Sequence, residues 1–167
     1  MAGRLIKDVA HEDAQKILDD YWDGLYPVDP VAIANNIGIQ VWDADLPIDI
    51  SGQLVKDGPL TLGQIHLNRH EMDVRRRFTC AHEIGHWMDR QHHEDQEYSF
   101  VDYRDASKKP DNAVEWYADH FAANLLMPTD EFTRLRSRGS SIIQLAEFFF
   151  VSTAAVRVRL RSLGLES

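Results

Sequence analysis

The sequence is poor in cysteine, with a single residue, Cys80, in 167. One thiol cannot form an intrachain disulfide, which excludes a disulfide-stapled secreted domain and favours a reducing compartment. Cys80 lies two residues before His82, and this offset on a helix points the two side chains in different directions. We therefore expect Cys80 to be a small buried side chain and not a metal ligand.

Long apolar runs and positive charge are also scarce. No window approaches the roughly 18–20 apolar residues of a membrane span. Arg4, Lys7 and Asp8 place charges where a signal peptide needs an apolar stretch. Lys and Arg number 18 against 27 Asp and Glu, a net charge of −9. Because such a chain is repelled by nucleic-acid phosphates and anionic membranes, we expect a soluble, cytoplasmic protein that does not bind membranes.

The C-terminal end is a local exception to the acidic charge. Residues 132–163 contain six arginines and one glutamate, a local charge of +5. The sequence around Val151 and Ser152 resembles a helix-turn-helix, although Phe150 stands where the turn usually has glycine. We predict a basic, helix-turn-helix-like appendage over residues 132–167, packed on a domain of residues 1–131. For this appendage we favour docking on an acidic or DNA-bound partner over direct DNA binding.

Hydrophobic periodicity predicts an α+β fold. The spacing predicts helices over residues 13–26, 30–37, 71–90 and 113–126, a short helical piece near residue 134, and two final helices joined at Ser152. Alternation predicts a small, mainly antiparallel sheet from residues 39–42, 50–55 and 63–68, and residues 91–110 read as a long loop. We assign residues 63–68 the role of an edge strand that pairs with an extended substrate.

The clearest chemical signal is an H-E-x-x-H motif, His82 to His86, within a predicted helix. Residues four apart share one helix face, so both imidazoles can reach one Zn²⁺, while Glu83 points towards the open coordination position. Zinc bound there would lower the pKa of a water towards about 7, and Glu83 would act as general base and pass the proton to a leaving amine. The motif therefore predicts peptide hydrolysis.

A catalytic zinc needs a third protein ligand, for which the sequence offers two candidates. His92 stands where metzincins place their third histidine, but Asp89 replaces the glycine that normally reverses the chain. Glu115 lies on the later helix with Asp119 one turn on, so Asp119 could accept the free N–H of a ligating histidine. Glu115 could instead be only the N3 residue of a capping box with Asn112.

Two segments resemble the ImmA/IrrE metallopeptidase family. They are residues 77–86, RFTCAHEIGH, and residues 115–128, EWYADHFAANLLMP, and the resemblance extends over most of the chain from about residue 14 to 164. It implies a zincin-like, gluzincin-type fold with a zinc-binding helix pair and one Zn²⁺ per chain, with His82, His86 and Glu115 as ligands, Glu83 as base and Asp119 behind a ligand. Two histidines and a carboxylate also suit manganese or iron.

The resemblance also implies a class of substrate. Characterised members are bacterial or phage proteins that cleave a helix-turn-helix repressor, some of them beside toxin–antitoxin operons. We therefore expect a narrow-specificity endopeptidase acting on a repressor or antitoxin, and as the alternative a non-proteolytic, metal-containing binding partner or DNA-associated regulator. Candidates for the oxyanion stabiliser that peptide hydrolysis requires are Tyr117 and His120, with Tyr98 and Tyr103 in the predicted loop.

Overall fold

A computed structural model describes residues 4–58, 61–92, 99–105 and 112–166. Its helices and strands follow in the order α1 (Ile6–Tyr21), α2 (Pro30–Ile37), β1 (Gln40–Ala44), β2 (Ile50–Asp57), β3 (Gln64–Asn68), α3 (Asp73–Gln91), β4 (Ser99–Asp105), α4 (Ala113–Leu126), α5 (Thr129–Ser137), α6 (Ile142–Phe149) and α7 (Thr153–Ser162). The α+β class is confirmed. Within these described ranges, no helix is both long and apolar enough to cross a membrane.

The first two helices show which sequence signals fix helix ends. The α2 prediction is confirmed: the Asp29 carboxylate accepts from the amides of Val31 and Ala32, and Gly38 ends the helix in the left-handed conformation at φ 104°. The bounds predicted for the first helix, residues 13–26, are wrong. α1 starts at Ile6 and ends at Tyr21, because Trp22 adopts an extended conformation at φ −95° and ψ 142°.

The sheet has four strands in the order β1-β3-β2-β4. β1 pairs with β3 in parallel, whereas β2 pairs antiparallel with both β3 and β4, so the mainly antiparallel prediction is confirmed. The edge-strand assignment of residues 63–68 is wrong, because β3 is paired on both sides and β1 and β4 form the edges. The loop predicted over residues 91–110 is also wrong for residues 99–105, which form β4. Their backbone groups pair with β2, a distant segment that local composition does not reveal.

Helix α3 lies close against the sheet at both ends of the His82–His86 segment. A Cβ added to Gly52 would come 2.6 Å from Thr79 Cγ2, and one added to Gly63 would come 2.5 Å from Trp87 Cζ3. Only glycine leaves room for these contacts, so β2 and the start of β3 hold α3 in place. Helix α4 then packs against both α3 and α1.

The C-terminal helices share the core of the rest of the chain. Phe132, Phe149 and Leu160 belong to the same buried cluster as Ile65 and Ile84. The division at residue 131 stays a prediction, and the packing of residues 132–166 on this common core is what the described residues show.

The junction between α6 and α7 has the expected turn geometry without glycine. Phe150 adopts the left-handed conformation at φ 52°, and Ser152 caps α7 by accepting from the amide of Ala155 at 3.1 Å, as predicted. Arg77 of α3 donates to the carbonyl of Phe150 at 3.2 Å, with its guanidinium 4.9 Å from the Phe150 ring. A bulky residue is therefore kept in an unfavourable conformation by contacts from α3.

Arg159, one of the six arginines of the basic C-terminal end, is buried. It is 4% exposed and donates to Asn124 Oδ1 at 3.0 Å, to the carbonyl of Met127 at 2.9 Å and to Thr129 Oγ1 at 2.9 Å. Burial lowers the pKa of Arg159 to about 10. Arg159 therefore fastens α7 to the end of α4, and the local charge of +5 overstates the positive charge that reaches the surface.

Candidate metal centre

The site depends on how closely α3 and α4 approach, and Gly85 sets that distance. A Cβ at this position would lie 3.0 Å from Ala118 Cα and 3.2 Å from both Cβ and Cδ1 of Phe121. Because the contacted atoms include the backbone of α4, any larger side chain would push the helices apart. The glycine inside the H-E-x-x-H motif thus brings the two histidines up to the residues of α4.

Three side chains from these helices converge on one point. His82 Nε2 lies 3.0 Å from His86 Nε2 and 3.2 Å from Glu115 Oε2, and His86 Nε2 lies 2.9 Å from Glu115 Oε1. Ligand atoms at 2.0–2.1 Å from a tetrahedral zinc are separated by about 3.3 Å. The observed separations are close to that value, and among the described residues this is the group whose donor atoms could hold a metal ion.

The hydrogen bonding of His82 tests whether a cation fits. Its Nδ1 lies 2.7 Å from Asp119 Oδ1, and because a carboxylate only accepts, Nδ1 carries the proton and donates. The Nε2 atom of the neutral ring then presents a lone pair to Glu115 Oε2. Two electron-rich atoms at this distance repel each other unless a cation lies between them, so the donor set fits a divalent metal.

Glu115 is held in its ionised form although it is half-buried. Burial alone would raise the pKa of Glu115, but its close contacts with the rings of His82 and His86 outweigh this effect and hold the pKa well below its usual range. The amide of Glu115 also donates to Asn112 Oδ1 at 2.9 Å. The backbone of Glu115 thus belongs to the capped start of α4, while its carboxylate contacts both histidines. The capping position is therefore not the only role that the structure gives to Glu115.

The site is open on one side and closed on the other. His82 and Glu83 are fully buried, whereas the side chains of Glu115 and Asp119 are 29% and 30% exposed. Solvent therefore reaches the group from the α4 side. Glu83, the predicted general base, thus lies on the closed side of the site.

The alternative ligand His92 lies elsewhere. Helix α3 continues to Gln91, so the chain does not reverse at Asp89 as the metzincin pattern requires. The His92 ring instead lies 2.6 Å from Asp13 Oδ2, with Nε2 as the contacting atom. The structure therefore does not bring His92 into the three-residue group.

The predicted oxyanion stabilisers are placed in different surroundings. The Tyr117 hydroxyl donates to Asp13 Oδ2 at 2.5 Å, and burial together with this carboxylate raises the pKa of Tyr117. His120 is half-buried beside Asp119, and burial lowers the pKa of His120. Tyr98 lies outside the described residues, and Tyr103 lies in β4. The oxyanion assignments stay predictions.

Sequence reasoning also missed residues that build the site's surroundings. Asn124 accepts from Arg159 at 3.0 Å, contacts His11 Nδ1 at 2.9 Å and donates to the carbonyl of His120 at 2.8 Å. It joins α1, α4 and α7 at one buried point. No local spacing indicates this role, whereas Gly85 could have been noticed as the glycine inside the H-E-x-x-H motif.

Comparisons with known proteins concern the family and the fold of the chain. The model of the family described as Peptidase_M78, IrrE N-terminal-like domain, matches residues 34–161. A solved structure described as a Mycobacterium tuberculosis transcriptional regulator is similar, with a TM-score of 0.62 and 16% sequence identity over 93% of this chain. The chain spans 50% of the length of that structure, and at this identity the likeness concerns the fold. No curated protein sequence matches the chain.

Proposed function

Because the chain belongs to the IrrE N-terminal-like domain family, Peptidase_M78, we propose that it is a zinc-dependent endopeptidase of narrow specificity. Its proposed substrate is a regulatory protein, such as a helix-turn-helix repressor or an antitoxin. The family is a metallopeptidase family, and membership agrees with the ImmA/IrrE resemblance of the two motifs. The observation that carries the proposal is the convergence of His82, His86 and Glu115 within 2.9–3.2 Å.

The chemistry follows from the residues around that point. A bound divalent metal would supply an acidified water and a polarised carbonyl. Glu83, one residue after His82, takes the proton from the attacking water and returns it to the leaving amine. Asp119 accepts from His82 Nδ1 at 2.7 Å, which fixes the tautomer with the lone pair on Nε2. These roles supply the general base and the ligand orientation that peptide hydrolysis requires.

One observation favours a second candidate function, a metal-containing regulator without proteolysis. The similar mycobacterial structure is described as a transcriptional regulator. In this chain, α6, the left-handed Phe150 and α7 form a helix-turn-helix-like element, and Arg157 and Arg161 are exposed on α7. In this alternative the metal would stabilise the fold, and α7 would contact DNA or a DNA-bound protein.

The variant Glu83→Gln separates the two functions, because it removes the base and retains the ligand set. We would treat an extract of the source cells with the zinc-loaded chain and identify new protein N-termini by mass spectrometry. The proposal expects a few new N-termini in a regulatory protein, which disappear with Glu83→Gln and persist with the exposed control Glu147→Gln. Elemental analysis must show equal zinc in all three proteins.

Two results would contradict the proposal. The same N-termini with Glu83→Gln would mean that this chain's base does not catalyse their formation. A zinc-loaded parent that produces no new N-termini would favour the regulator. The regulator further predicts affinity for duplex DNA that falls steeply with salt and is lost on charge reversal at Arg157 and Arg161.

A further inference from the structure

A cavity of about 410 Å³ lies between α7, α4 and the first half of α3. Each of the three helices contributes apolar side chains to its wall, among them Phe78, Trp116 and Val158. The polar residues that line it are Asp119, His120, Arg159 and Ser162. A concave, mainly apolar site of about 300–1,000 Å³ with a few converging polar groups is typical of small-molecule binding. We call this space the α7 cavity.

Arg159 differs from the other lining residues because its charge is buried and only partly satisfied. The residue is 4% exposed, and its Nε and Nη2 atoms donate to Asn124, Met127 and Thr129 at 2.9–3.2 Å. The Nη1 atom donates to none of the residues that the structure describes, yet it is not sealed from solvent. Because Arg159 lines the α7 cavity, the two N–H groups of Nη1 are available to a ligand there.

Arg159 also lacks a counter-ion within the described ranges. It forms no ion pair with their carboxylates, and burial is the only cause that lowers the pKa of Arg159, with no carboxylate opposing it. Asp119 lines the same cavity, but it accepts from His82 Nδ1 at 2.7 Å. A buried charge is costly unless an opposite charge compensates it. An anion in the α7 cavity would supply that opposite charge.

The donors that remain favour a carboxylate over a phosphate. Arginine often holds phosphate with two nitrogen atoms, but Nε and Nη2 of Arg159 already donate to acceptors of the protein. Asp119 also repels a doubly charged ligand more strongly than a singly charged one. The half-buried His120 ring lines the cavity and makes no hydrogen bond to a described residue, so it can donate a second N–H to a carboxylate.

We propose that the α7 cavity binds a small carboxylic acid with an apolar body, whose carboxylate is held by Nη1 of Arg159. The site goes beyond the proposed peptidase function and does not require it. The apolar body would cover Trp116 and Val158, which are 54% and 53% exposed. Because only 4% of Arg159 is exposed, the end of a narrow ligand can reach it, whereas the face of a protein helix cannot.

The test compares acids with their own amides on the full zinc-loaded chain. 1-Naphthylacetate and 1-naphthylacetamide are the aromatic pair of probes, and octanoate and octanamide are the aliphatic pair. Members of a pair have the same body and differ in charge, so calorimetric titration near neutral pH isolates the contribution of the carboxylate. For at least one pair, the acid should bind about tenfold more tightly than the amide.

Variants of Val158 locate the bound acid, since replacing Arg159 itself would also release α7 from α4. Val158→Asp places a negative charge on the cavity wall, so it should weaken binding of the acid about fivefold and of the amide less than about twofold. Val158→Asn has a similar shape without the charge and should retain the preference for the acid. Ile143→Asp, at an exposed position of α6 that does not line the cavity, should change neither affinity.

Four outcomes would overturn the proposal. No binding of either acid, or equal binding of each acid and its amide, would mean that Arg159 does not select a carboxylate. Binding of the acid that is unchanged in a folded Val158→Asp variant would place it elsewhere, for example on the zinc. Displacement of the acid by an equal concentration of inorganic phosphate would assign the cavity to phosphate. None of these measurements involves cleavage, so their failure would leave the peptidase proposal standing.

Discussion

Replacing Gly85 by alanine tests whether the close approach of α3 and α4 builds the metal centre. Helix propensity alone predicts that Gly85→Ala stabilises the protein by about 1 kcal/mol. The structure opposes this, because the new Cβ would lie 3.0 Å from the Ala118 backbone and 3.2 Å from Phe121. Overpacking of this kind costs about 1–3 kcal/mol. The net expectation is a loss of up to about 2 kcal/mol.

The same strain should weaken metal binding. In the metal-free protein α4 can move away and relieve the contact, but a bound metal requires Glu115 to return to within 2.9–3.2 Å of the histidines. Metal binding then imposes the steric strain again. A strain of about 1–2 kcal/mol would raise the dissociation constant for zinc roughly 5–30-fold. Gly85→Ala should therefore lose more stability with zinc than without it.

Thermal melting with zinc and with chelator measures both effects. A loss of up to 2 kcal/mol should lower Tm by roughly 4–8 °C in a chain of this length. Competition against a chromophoric chelator gives the zinc affinity directly. Thr133→Ala, at an exposed position of α5, controls for the gain in helix propensity and should slightly raise Tm. A higher Tm for Gly85→Ala with unchanged zinc affinity would refute the reasoning.

Three further predictions concern the site and its support. Asp119→Asn should raise the zinc dissociation constant about 10–100-fold, because the amide orients His82 less well, and unchanged affinity in the chelator assay would contradict this role. Glu115→Ala should lose zinc by elemental analysis while His92→Ala retains it; the reverse pattern would restore the metzincin arrangement. Arg159→Met should cost about 2–4 kcal/mol in denaturant unfolding, because two buried acceptors and the partly buried Thr129 hydroxyl lose their donor. The exposed Arg157→Met should cost under about 0.5 kcal/mol.

Local spacing in the sequence was sufficient to group the residues of the metal centre into two pairs. His82 and His86, and likewise Glu115 and Asp119, are four residues apart, so helical periodicity alone places each pair on one face. The contact between His82 and Asp119 joins two helices, and it followed from the chemistry of metal-bound histidine and not from periodicity. The capped starts of α2 and α7 were equally local and were confirmed in the structure.

Features that depend on pairing between distant segments were not predictable in the same way. Residues 64–68 alternate like any half-buried strand, and nothing local reveals that β1 and β2 flank them on both sides. The sequence on both sides of β4 is polar, and residues 99–105 form a strand through their pairing with β2. Arg159 looked like one of several surface cations because burial depends on α4, which lies more than thirty positions earlier.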